Sequence, residues 1–337
     1  MDFSLTEEQR ALSELAGKIL SDRGTLERLK AIEASELRYD RELWADFAES
    51  GLLGAAIGER FGGSGGGLVE ACLLLEQQGR RVAMIPLLST LVSAAMPIES
   101  FGSAEQQERL LPGVIAGETI LTAALVELGT DARNPITRAI QDGGAWRLDG
   151  VKVAVPMAHV AAAVLAPART ARGETGVFLL DPRSSGTTLA RQETTNWEAQ
   201  FRMELAGARA EPLGSIERGR EILDWIVDRT IVGLCAIAAG ACQEAVRVTA
   251  EYASNRKQFD KPIAMFQAVG QRMADSYIDN EAVSLTMWQA ATRLHDDMPS
   301  QKEVAVAKYW AAEGGSRIGH AALHIHGGIS IDVDYPI

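Results

Sequence analysis

The sequence predicts a mainly α protein with a β middle domain, and three observations predict it. From about Thr6 to Gly117, apolar residues recur every three or four positions, and polar caps and glycine stops divide the segments. Between about Glu118 and Leu213 the pattern shortens to β-rich runs broken by Gly, Pro, Asp and Asn. From Gly214 onward the helical period returns in three stretches of about thirty residues each. The predicted boundaries are therefore 1–117, 118–213 and 214–337.

With 337 residues, of which 47% are hydrophobic, the chain can bury a substantial core and divide into two or three domains. A formal net charge of -12 argues against a basic surface that tracks phosphates, so nucleic acid is not the expected partner. Cys72, Cys235 and Cys242 are too far apart for a metal knuckle, and the last two lie on an apolar helical pattern, so buried thiols and no metal site are expected. The opening MDFSLTEEQRAL carries helix signals and acidic residues where a signal peptide needs a basic end and an apolar run. No apolar run approaches the roughly 18 residues of a spanning helix, so no membrane is expected and the cytoplasm is the expected location.

Within the first region, RFGGSGGGLVEACLLLEQQG places glycines ahead of an amphipathic run. Helix N-termini attract anions, but no Gly-Lys-Ser/Thr follows and no strand clearly precedes, so a turn that caps a helix is expected. The middle region offers TILTAALVEL, WRLDGVKVAVPM and TGVFLLD as strands. The three C-terminal stretches, joined by short loops, pack most simply as an antiparallel bundle, with their Met, Trp and Ala stripes as its core.

Two C-terminal segments carry chemistry. In RKQFDKPIAMFQ, Arg256 offers a planar fork of donors suited to a pyrophosphate. In HIHGGIS, Gly327 and Gly328 allow backbone N–H groups to approach an anion closely. Taken singly, the plainer readings are a solvated loop arginine and a helix C-cap. His324 and His326 are two apart, so on a helix they face different ways and make a poor metal pair.

Over essentially its whole length the chain resembles the acyl-CoA dehydrogenase family. Arg256–Gln267 is similar to the family's R-x-x-F-G-x-x-I-x-x-F-Q segment, with Asp260 where glycine is usual, and HIHGGIS is similar to Q-x-x-G-G, with His324 in the glutamine's place. FSLTEEQ and ERFGGSG fit as well. The resemblance implies an N-terminal helical domain, a small β-barrel or sandwich, a four-helix-type C-terminal bundle, and FAD as cofactor. It carries Arg256, Gln258, Phe259, Gln267, His324, Gly327 and Gly328 over as contacts to FAD.

What the family uses for catalysis is missing. Relatives abstract the α-proton of an acyl-CoA with a glutamate, which in most lies beyond the Q-x-x-G-G segment, past Ile337 here. In others it lies early in the bundle's first helix; aligned on Tyr252, Gly240 and Gln243, that position is Thr230, followed by Ile231, and neither can act as base. Asp228 is two residues back, roughly 200° around the helix, and would serve only if the register shifted. The segment around Glu127 departs from the family's T-E-P-x-A-G-S-D, and Ala154–Met157 replace W-I-T-N; Pro156 has neither a hydroxyl nor an N–H to offer a flavin ring.

In the family's tetramers the flavin lies on one subunit's β domain and its ADP portion on the adjacent bundle. This chain keeps the residues that act across the interface and lacks those that act within the subunit. It resembles the β-type subunits of heterotetrameric actinobacterial acyl-CoA dehydrogenases, including those that act on CoA-linked steroid side chains; YDRELWADF, TAEYASNRKQFDKPI and HIHGGISIDVDYPI carry that likeness. The resemblance implies no catalytic residue in this chain, two copies of it with two homologous catalytic subunits, and an acyl-CoA bound mainly by the partner. Two alternatives remain at this point: a self-sufficient homotetramer with its base beyond Ile337, and a flavin-free assembly scaffold.

Overall fold

The computed structural model describes residues 3–337. Helices occupy the chain as far as Ile115, strands follow from Leu121 to Pro212, and helices resume from Ile216. α1 (Glu7–Arg23) starts where the sequence places a cap: the Thr6 hydroxyl accepts from the Gln9 N–H while the Gln9 side chain accepts from the Thr6 N–H. α2 (Leu26–Glu33) and α3 (Arg41–Glu49) follow, the latter capped by Asp40. The glycine-rich segment forms a turn, with Gly62 and Gly65 at positive φ, and leads into α4 (Leu68–Arg81). Residues Leu88–Ala95 then take up a π-helical winding in which Ser89 to Ala95 are all buried, before α5 (Met96–Phe101) and α6 (Ala104–Ile115).

The β region comprises β1 (Leu121–Ala123), β2 (Arg138–Asp142), β3 (Ala145–Pro156), β4 (Ala163–Thr170), β5 (Thr175–Leu180), β6 (Thr187–Gln192) and β7 (Gln200–Pro212). Pairing runs β4-β2-β3-β7-β5 and returns to β4, which closes a small barrel; β1 adds to β4 and β6 to β7. Closure leaves no free edge within the ring, and alternate residues such as Leu148, Val164, Phe178, Met203 and Ala208 fill its interior. After the barrel come α7 (Gly219–Asn255), the two-residue strands β8 (Lys257–Gln258) and β9 (Lys261–Pro262), α8 (Gln267–His295) and α9 (Gln301–His326).

The chain forms two compact units. One holds residues 3–27, 72–83 and 231–337; the other holds 28–71 and 84–230. In the first, α4 and α7 cross so closely that a Cβ on Gly79 would lie 2.0 Å from the Ile237 carbonyl oxygen, and one on Gly240 would lie 1.9 Å from that of Glu76. Only glycine permits this approach. Cys235, Cys242 and Cys72 are all buried in this unit, and none of the three is in a disulfide. Burial pushes the Cys235 and Cys242 thiols up to about 11, so both stay protonated and inert.

The α4–α7 contact sets a test. Gly240→Val must push apart two packed backbones, a strain at or above the about 1–3 kcal/mol typical of overpacking. Urea unfolding should show a loss of that size, whereas Gly319→Ala in the interior of α9, where a Cβ meets nothing within 4 Å, should be neutral to stabilising by up to about 1 kcal/mol.

Candidate functional site

In the bundle unit the expected contact residues gather where α7 ends, α8 begins and α9 ends. The Arg256 N–H donates to the Tyr252 carbonyl at 2.8 Å, and the Arg256 carbonyl accepts from the Ile263 N–H at 2.8 Å, which sets the short hairpin of β8 and β9. Gln258 pairs with Lys261 across it. Its two turn residues, Phe259 and Asp260, have φ of 52° and 60°, the left-handed pair of a tight primed turn. Asp tolerates this conformation where the family pattern has glycine; Phe259 does so less readily and stands 87% exposed. Gln267 is the first residue of α8 and is exposed.

α9 reaches the same end. His326 is buried and stacks on Tyr252 with ring centroids 4.2 Å apart, and its Nδ1 lies 2.6 Å from the Tyr335 hydroxyl. Burial holds its imidazole below the usual histidine range, so it is neutral at pH 7. His324, on another face, is exposed and meets Arg272 of α8 through Nδ1. Beyond the helix, Gly327 has φ of 71°, and a Cβ on Gly327 or Gly328 would meet nothing within 4 Å. The Arg256 guanidinium is exposed and has no protein partner among the described residues. An open guanidinium, two glycines with free approach and a directed imidazole fit an anionic diphosphate. That is the chemistry of the ADP half of FAD.

The barrel unit fits the other half of FAD poorly. At the end of β3 every backbone donor is used or missing: the Ala154 N–H donates to Gln192 Oε1 at 2.8 Å, Val155 pairs with Phe201, Pro156 has none, and the Met157 N–H donates to the Ala199 carbonyl at 2.8 Å. Ala154 and Met157 also have φ of 50° and 55°. Glu127 is no free acid. It is buried against Lys152, with Oε1 2.5 Å from Nζ, and accepts the N–H groups of Ile136 and Thr137. Burial pushes its carboxyl up, but Lys152 and the backbone donors outweigh that and leave it below the ordinary carboxylate range. Lys152, fully buried, is pushed down to about 8 by desolvation against the pull of Glu127.

At the start of α7, Thr230 donates to the Ser93 hydroxyl of the π-helical stretch at 3.0 Å. Asp228 is bound to Arg133 at 2.6 Å, and Arg133 also holds Asp224 at 3.0 Å. Arg229 is buried, with its guanidinium 3.7 Å from the Trp225 ring centre. The hydroxyls at 93 and 230 are too weakly basic to take a proton from carbon, and the Asp228 carboxylate is paired with Arg133 through Oδ1.

Comparison with known proteins decides the family. The N-terminal domain of acyl-CoA dehydrogenases matches residues 6–118 and the C-terminal domain matches residues 217–337. The acyl-CoA dehydrogenase FadE27 of Mycobacterium tuberculosis is 36% identical over 100% of this chain and 91% of its own length. This chain belongs to the acyl-CoA dehydrogenase family. Among solved structures, a variant of the Tcur3481-Tcur3483 steroid ACAD is 42% identical with a TM-score of 0.93, covering 98% of this chain and 90% of that one. The ChsE4-ChsE5 complex of Mycobacterium tuberculosis is 36% identical with a TM-score of 0.94, covering 100% and 91%.

For an acyl-CoA dehydrogenase, the sequence left several partners unnamed: Lys152 for Glu127, Arg133 for Asp228, Gln192 for Ala154 and Arg272 for His324. One was signalled. The two-residue alternation of β3 puts Lys152 on the face of the buried Leu148, and a buried lysine requires an acid. The other three are long-range pairs with no local pattern.

Glu127→Gln leaves Lys152 buried without its counter-charge, and breaking such a pair costs about 3–5 kcal/mol. In the unaltered protein the folded carboxyl titrates below its unfolded value, so its stabilisation is present above that value and lost as pH falls through the folded one. Urea melts should show a large deficit for Glu127→Gln at pH 7, and a smaller gap between variant and parent at a pH acid enough to protonate the folded Glu127.

Proposed function

We propose that this chain is a partner subunit of a hetero-oligomeric, FAD-dependent acyl-CoA dehydrogenase. Its bundle end supplies the pyrophosphate contacts of a FAD whose flavin ring and substrate are held by a homologous catalytic subunit, with two copies of each chain. The observation that carries this reading is the contrast between the two units. Arg256, Gly327 and Gly328 stand open for an anion, whereas the donors of residues 154–157 are spent within the chain. In this reading the residues that bind are Arg256, Gln258, Phe259, Gln267, His324, Gly327 and Gly328, and the chain has three functional parts, 1–117, 118–213 and 214–337.

FAD held there would supply the two-electron oxidant for the α,β-dehydrogenation of a CoA thioester. Arg256 fixes the diphosphate by a charge-assisted fork, and the backbone at Gly327–Gly328 lets it come close. The proton at the α-carbon is assigned to a carboxylate of the partner, because Thr230 offers only a hydroxyl where the family's base stands and Asp228 is paired with Arg133 two residues away on the helix. A steroid side-chain CoA ester is the proposed substrate class, supported by the likeness to the Tcur3481-Tcur3483 steroid ACAD. A homologous partner is supported by that assembly, by ChsE4-ChsE5, and by apolar side chains left uncovered in the bundle unit, among them Phe259, Ile278 at 63% and Val333 at 91% exposure. No helix among the described residues is long and apolar enough to cross a membrane; the cytoplasm is the proposed location.

Two outcomes test the division of labour. A tag on this chain should bring down a related second subunit with FAD, and Arg256→Ala should leave that assembly intact but release its FAD on dilution, a loss on the order of 2–5 kcal/mol for a desolvated charged contact. Unchanged flavin affinity in that variant sinks the proposal. Asp228→Asn should leave turnover of the flavin-loaded complex within a few-fold, since loss of a true base typically costs about 10²–10⁴-fold. Size-exclusion analysis beside the assay separates chemistry from the loss of the Arg133 pair.

A further inference from the structure

Arg272 lies outside the residues carried over from the family pattern, and its contact with His324, which is among them, has a consequence for the proposed cofactor end of the bundle. α8 starts where α9 finishes, so Arg272, in the second turn of α8, comes beside His324, three residues before Gly327. The contact joins Arg272 Nη1 to His324 Nδ1. A guanidinium has donors only and does not deprotonate in proteins, so Nδ1 must be the acceptor. A neutral imidazole then carries its single proton on Nε2, across the ring from Arg272. Both residues are exposed, and a Cβ on either of the two glycines that follow would meet nothing within 4 Å.

We propose that Arg272 is a positioning residue for the FAD diphosphate: it fixes His324 in the tautomer whose Nε2–H points to the ligand. The pair does the work of the amide N–H of a glutamine, which needs no such partner because its nitrogen always donates. Arg272 also brings a positive charge to an end of the bundle that already holds Arg256. Without Arg272, His324 is free to exchange tautomers, and the form with Nδ1–H presents a bare acceptor to an anion, which is repulsive. This inference rests on the proposed role of the bundle end in holding FAD.

The test is a double-mutant cycle on the complex captured through this chain, reading FAD affinity by flavin fluorescence on dilution, with size-exclusion and thermal melting as controls on assembly. Arg272→Ala should weaken FAD by about tenfold, the size expected for one charge-assisted hydrogen bond. His324→Gln should bind FAD near the parent level, and Arg272→Ala added to His324→Gln should cost little more, because the glutamine restores a donor that needs no arginine. An equal loss from Arg272→Ala in both backgrounds overturns the proposal, since the arginine would then act alone. Arg256→Ala separates the levels: if it releases FAD while Arg272→Ala does not, the positioning role fails and the shared-site reading stands; if neither releases FAD, the shared-site reading fails first. Should Arg272→Ala fail to assemble, Arg272→Gln replaces it, with the same dependence on the residue at 324 required.

Discussion

The stack of His326 on Tyr252 is the contact from which the proposed cofactor end of the bundle follows. Tyr252 sits one turn before the end of α7, and His326 is the last residue of α9, so two flat rings at 4.2 Å tie together the ends of helices that are far apart in sequence. Arg256 leaves α7 one turn after Tyr252, and Gly327 and Gly328 leave α9 directly after His326. The chain thus brings the Arg256 guanidinium and Gly327 and Gly328 to one place through two aromatic neighbours, with no ion pair joining the two helix ends there among the described residues. Because His326 is buried and neutral at pH 7, the stack adds no charge at the place proposed for the diphosphate.

The barrel has gone the other way. Where a flavin would need donors, Gln192 and Ala199 have taken them, and where a base would stand, Thr230 is bonded to Ser93. Each of these contacts removes an unsatisfied polar group from a buried or half-buried place, which is why loss of a cofactor contact need not destabilise the fold. Glu127 shows the same logic, since its carboxylate now serves only to neutralise Lys152 and to hold the backbone at Ile136 and Thr137. A fold kept while these donors are committed within the chain is what the proposed partner-subunit role requires.

Much of this was legible in the sequence, for identifiable reasons. Helix and strand regions showed through period alone, and the Thr6 cap, the glycine turn before α4 and the three long C-terminal helices are local signals that the structure reproduces. The divergence of His324 and His326 onto different faces follows from helical geometry, and the structure has one exposed and the other buried. The π-helical winding at Leu88–Ala95 was not legible, because its apolar residues suit an α-helix equally well and only packing selects the wider turn. Nor were the partners Arg133 and Arg272, which meet residues 95 and 52 positions away; an exposed arginine in a sequence carries no mark of the group it will find.

The tight turn at Phe259–Asp260 has a kinetic meaning. Both residues are already held in the left-handed conformation, so the exposed aromatic ring projects from a backbone with little freedom left to lose. A surface that meets such a ring need not wait for a loop to order, and the entropy of arranging the contact has been settled when the chain folds. Encounter with another subunit at this point should then be governed by diffusion and orientation, with the slow steps of assembly lying elsewhere.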